Sequence, residues 1–151
     1  MPARIIASIA SDLNDLNKLK PLLEQQTDSL RSRNMDAIPV LAQSISNLVQ
    51  KLDRNNLKRG EVLVSLGFTA DREGMHGFLE QHPEVNEDWV RMARLAKECQ
   101  STNAVNGQLL QMQQELTETM LKRLNRDVDN VGYAKDGTDG RLGESTSLGY
   151  A

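Results

Sequence analysis

Apolar side chains recur along most of the chain at steps of three and four, the period of an amphipathic helix. In residues 5–33 the series is Ile5, Ile9, Leu13, Leu16, Leu19, Leu23 and Leu30. Pro21 falls inside it and lacks a backbone donor, which predicts a kink near Lys18 or a helix that restarts there. Asn34-Met35-Asp36 punctuates the pattern, with Asp36 as a candidate N-cap and Pro39 in the first turn of a second helix. The second series is Ile38, Leu41, Ile45, Leu48, Leu52, Leu63 and Leu66, with Asn56 and Arg59 as polar residues at two seam positions. Gly67 reads as the left-handed C-cap, with Phe68 placed to fold back on Leu63. Residues 69–81 form a shorter helix, Asp71 near its start and Met75, Phe78 and Leu79 facing inward. Gly74 and Gly77 weaken it by about 1 kcal/mol each. His82-Pro83 ends it, and Asn86-Glu87-Asp88 opens a third long helix over about residues 87–127.

That third helix carries two apolar sets. At 100° per residue, Trp89, Met92, Ala96, Cys99 and Asn103 share one arc, which Leu110, Leu121, Leu124 and Val128 continue. Val105, Leu109, Met112, Leu116 and Met120 form a second arc, roughly 100° away by the same period. Gln108, Gln111, Glu115, Glu118 and Lys122 take the remaining side. Either the second arc is buried because other helices flank this one on two sides, or it is a surface for an amphipathic segment of another protein. Met112 and Met120 suit the second case, since the thioether chain adapts its shape. Asn103, Asn106 and Gly107 interrupt the helix midway. They mark either a close crossing that needs a small residue, with the asparagines bonding locally, or a weak point between two halves.

No strand is supported. The expected fold is all-α, an elongated antiparallel bundle of three long helices plus one short helix, with a flexible C-terminal tail. The bundle takes residues 1–128. Residues 129–151 form the tail, in a region that holds five of the chain's ten glycines beyond Arg126 and few aliphatic side chains.

Composition narrows the function classes. A net charge of -3 over 151 residues offers no basic surface for nucleic acid. No apolar run approaches the roughly 20 residues of a spanning helix, and no secretory signal is visible, so the expected location is the cytoplasm. The lone Cys99 has no local partner to lower its pKa and reads as a buried structural thiol. His76 and His82, six apart, cannot form a zinc pair, and no lysine follows His76 within a turn as a phosphotransfer histidine would require. No nucleotide-binding glycine motif occurs. These features lead to a non-enzyme with no cofactor and no metal.

Asn103-x-x-Asn106-Gly107 followed by Leu109-Leu110, preceded by Trp89 and by Leu63-x-x-Leu66-Gly67, resembles the FlgN family of flagellar type III export chaperones. Tyr133-Ala134-Lys135-Asp136-Gly137 is similar to that family's Tyr-Gly-x-Asp-Gly element, with Ala134 in place of Gly. The resemblance implies a cytoplasmic chaperone for hook-associated junction proteins that holds their C-terminal amphipathic segment and delivers them to the flagellar export apparatus. It places client binding on residues 103–128 and makes Tyr133 a candidate contact with the export machinery. The expected anchors are Val105, Leu109, Met112, Leu116 and Met120, with Leu124 beyond them, read by helix-in-groove packing. A homodimer of the unladen form could cover the same arc. The alternative is a structural or adaptor bundle that homo-oligomerises through this helix.

Overall fold

The computed structural model describes residues 2–130, with side chains to residue 126. It contains four α-helices, α1 (Pro2–Ser32), α2 (Ala37–Ser65), α3 (Arg72–Gln81) and α4 (Asn86–Asn130), with a 3-10 turn at Pro83–Val85 ahead of α4. No strand occurs among the described residues. The fold is the all-α bundle that the periodicity predicts.

Cross-helix bonds fix the directions. Arg59 reaches Ser8 and Asp12, Asn55 reaches Asp12, and Lys51 reaches Asp15, so α2 runs antiparallel to α1. Lys20 meets Glu98, Thr27 meets Asn106, and Gln113 meets Leu30, so α4 runs parallel to α1. The chain goes up, down and up again. Helix α1 is central, packed along both α2 and α4, and α3 closes the end where α1 begins and α2 finishes.

The core follows the apolar seams. Ile5, Ile9, Leu16, Leu19 and Leu23 of α1 join Ile45, Leu52 and Leu63 of α2, Met75, Phe78 and Leu79 of α3, and Met92 and Cys99 of α4 in one buried cluster. Burial pushes the Cys99 thiol up to about 11, as an inert structural cysteine requires.

The helix ends depart from the expected chemistry in physically clear ways. Helix α1 does not restart at Pro21. Pro21 and Asn17 are both exposed, so water can serve the carbonyl that the missing N–H leaves free. Asp36 has helical dihedrals and makes no side-chain capping bond. Helix α1 is instead closed by Arg33 in the left-handed region, φ 56°, with the Asn34 amide donating to the Ser29 carbonyl at 2.9 Å. Gly67 performs that role for α2 at φ 90°, and the Phe68 amide returns to the Leu63 carbonyl at 2.9 Å. The Phe68 ring meets Phe78 edge-on, its centroid 6.1 Å away.

Asp71 caps α3 by accepting from the Gly74 amide at 2.9 Å. Bonds from the Thr69 hydroxyl and the Gly74 amide hold its carboxyl below the usual range. A Cβ on Gly74 would stand 1.7 Å from the Thr69 carbonyl oxygen, so this glycine is required by a close backbone approach.

At this closed end sits a buried polar cluster. Both terminal nitrogens of Arg59 donate to one oxygen of Asp12 at 2.8 Å, and Asn55 donates to the other at 3.1 Å. The guanidinium carbon lies 5.4 Å from the ring centroid of Trp89, tying α4 into the same cluster. Arg59 occupies the seam position that the period gives it. Asn56 is exposed, and Asn55, one residue earlier, turns inward instead.

Candidate partner-binding site

Helix α4 is continuous through Gly107 to Asn130, yet its two halves live in different surroundings. From Trp89 to Cys99 its inner seam is covered, with Met92 and Cys99 buried and Trp89, Leu95 and Ala96 packed against the core. Asn106 is the last buried residue of the helix among those described. Its amide nitrogen donates to the Leu23 carbonyl at 3.0 Å and to Gln26 Oε1 at 2.9 Å. Its Oδ1 accepts from the Thr27 hydroxyl at 2.6 Å. The asparagine therefore bonds across to α1, and not locally as the close-crossing reading expects. Asn103 is half-buried one turn earlier.

Gly107 does not serve a close crossing. A Cβ built there meets nothing within 4 Å. The small residue has no steric cause among the described residues.

Beyond Gly107 the cover from α1 thins. Leu109 and Leu110 are half-buried, and the Gln113 side chain donates to the Leu30 carbonyl near the end of α1. Because α1 stops at Ser32, α4 then runs on with no other element beside it among the described residues, and every residue from Glu115 to Arg126 is exposed. Residues 115–130 project for about 24 Å at the standard helical rise. The exposed fractions are 42% at Val105, 62% at Met112, 46% at Leu116, 56% at Met120, 49% at Leu121 and 57% at Leu124.

Among the described residues no helix covers the second arc from Met112 onward, so burial on two sides does not account for it there. The structure also uncovers part of the first arc, since Leu121 and Leu124 continue by angle the seam that Met92 and Cys99 bury. Among the described residues no element faces residues 115–126, so an incoming segment would supply the opposite wall itself. Leu121 belongs to this surface although its angle groups it with the core. Its position is legible only from where α1 ends. Tyr133 and the tail lie outside the described residues.

Other candidate chemistry is dispersed. His76 is exposed on α3, and His82 stacks on Phe78 with ring centroids 4.3 Å apart. Among the described residues no group of three or more His, Cys, Asp or Glu could hold a metal ion. No helix among them is long and apolar enough to cross a membrane.

Comparison with known proteins agrees with this architecture. The family described as FlgN protein matches residues 1–140. A solved structure from Pseudomonas aeruginosa, provisionally named a flagella synthesis protein FlgN, is 26% identical with a TM-score of 0.66. That alignment covers 73% of this chain and 88% of the other. No curated protein matches significantly.

Proposed function

The chain belongs to the FlgN family, and from that premise we propose that it is a chaperone of hook-associated junction proteins that binds their C-terminal amphipathic segment on the projecting half of α4. The observation that carries the reading is the run of exposed apolar side chains at Met112, Leu116, Met120, Leu121 and Leu124, where α4 reaches past the end of α1 and meets no other element among the described residues. Exposed patches of this kind on a folded domain mark partner surfaces.

The mechanism is helix-on-helix burial. A client helix laid along residues 105–124 covers Val105, Leu109, Met112, Leu116, Met120 and Leu124, and hides its own apolar face from other subunits. Two methionines among the anchors let the surface fit more than one client sequence. The site holds and releases its client by affinity alone, and the laden chaperone then delivers it to the export apparatus. Tyr133 is the proposed contact for that step. The working location is the cytoplasm.

The test is a calorimetric titration of the full chain with a synthetic peptide from the C-terminus of a hook-associated protein. Wild type should bind one to one and saturate. Leu116→Glu should lose binding while helicity and unfolding midpoint stay put, because an exposed substitution shifts stability by no more than about 0.5 kcal/mol. A folded wild type that does not bind would overturn the client assignment.

A further inference from the structure

Of the chain's asparagines, only Asn106 is followed by glycine. That order is chemically reactive. Where the next residue has no side chain and a free backbone, its nitrogen can reach the asparagine Cγ and close a five-membered imide. Packing gives no reason for the glycine, since a Cβ at Gly107 meets nothing within 4 Å. The pair nevertheless sits inside a continuous helix, with Asn106 only 3% exposed.

Two restraints hold the reacting atoms apart. In a helix the Gly107 amide is committed to the carbonyl four residues back, and helical dihedrals keep its nitrogen away from the Asn106 side chain. Across the interface, α1 occupies both polar atoms of that side chain. Nδ2 donates to the Leu23 carbonyl and to Gln26 Oε1, and Oδ1 accepts from the Thr27 hydroxyl. The leaving nitrogen is thereby pinned to the neighbouring helix.

We propose that Asn106-Gly107 is a deamidation site that contact with α1 keeps closed, and that its conversion releases the outer half of α4 in one direction only. When α4 peels from α1, the Gly107 nitrogen gives its proton to solvent and bonds to Asn106 Cγ. The Cγ–Nδ2 bond breaks, and ammonia leaves after taking a proton from solvent in exchange. Water then opens the imide at either carbonyl, and the chain carries aspartate or isoaspartate at this position. Neither product rebuilds the contact. Aspartate has no donor for the Leu23 carbonyl and brings a charge to a buried place, while isoaspartate adds an atom to the main chain and interrupts the helix. The site stands whether or not a client binds α4.

Peptide mapping by mass spectrometry, on the full chain held at mildly alkaline pH with and without urea, tests it. Asn106 should convert in urea and about a hundredfold more slowly in the native chain, as expected when three hydrogen bonds must open first. Thr27→Val and Gln26→Ala each remove one of those bonds. Each should speed native conversion about fivefold and leave the rate in urea unchanged. Gly107→Ala should suppress conversion in both conditions. Equal rates in the native and unfolded chains overturn the proposal. So does a native rate unmoved by both interface variants, since the helix alone would then be the guard. Absence of conversion in urea removes the site altogether. Asn106→Asp supplies one product directly, and its amide exchange should rise in residues 103–114 with the closed end unchanged. Wild-type protection there would overturn the one-way release.

Discussion

The two halves of α4 share a helix, a period and a similar density of aliphatic side chains, and they have opposite fates. Met92 and Cys99 are buried, while Leu116 and Leu121 stand about half exposed. The difference is a matter of neighbours. Residues 86–106 run beside α1, and residues 115–130 begin where α1 has ended. Hydrophobic periodicity states which side of a helix seeks cover, and the length of the adjacent helix states whether cover is there. The boundary follows the end of α1: Asn106 makes three hydrogen bonds to that helix, and two turns later Gln113 still donates to its Leu30 carbonyl.

The contrast can be broken most forcefully at the closed end. Asp12→Ala removes the carboxylate that holds Arg59, leaving a guanidinium only 5% exposed without its counter-ion. Urea unfolding should show a loss of about 3–5 kcal/mol, the typical result of breaking a buried ion pair. Replacing both partners by leucine should recover much of that loss. A cost below about 1 kcal/mol for the single change would mean that the cluster relaxes into water, against the burial described.

Asn106→Ala probes the boundary itself. It strips the Leu23 carbonyl and the Gln26 and Thr27 side chains of a partner, for an expected cost of about 2 kcal/mol. Hydrogen exchange should rise in residues 103–114 and stay unchanged near Trp89. Protection lost evenly along α4 would show that the two halves are one cooperative unit.

The smallest effect is the most diagnostic. Gly107→Ala places a methyl in open space, so helix propensity alone predicts a gain of up to about 1 kcal/mol. If client affinity falls as stability rises, Gly107 is a soft joint that client binding uses. If both rise together, the glycine only weakens the helix.

Much of this is legible in the chain. The inward faces of α1 and α3, the Gly67 cap, the buried thiol and Arg59 at its seam all come from period and from residue chemistry close at hand. The features that are not legible depend on backbone geometry or on a distant neighbour. Arg33 gives no hint of a left-handed cap, because the conformation comes from hydrogen bonds back to Ser29 and Leu30. Asn106 reads as a local feature, since its partners lie about eighty residues earlier. Leu121 and Leu124 match the core seam in angle and lack only a helix to meet. Gly74 looks like a propensity defect until the Thr69 backbone is seen to lie against it.

The pairing of Trp89 with Arg59 bears on how this protein can be watched. The chain has one tryptophan and one cysteine, and both sit on the covered half of α4. Trp89 is separated from Leu116 by about 40 Å of helix at the standard rise. Its fluorescence will report melting of the closed end and stay silent to any partner that settles on the far half. A thiol-reactive dye will meet Cys99 only after the bundle opens. Optical work on recognition therefore needs a reporter introduced beyond Gly107, and the native indole then serves as an internal gauge of whether the rest of the molecule remained folded.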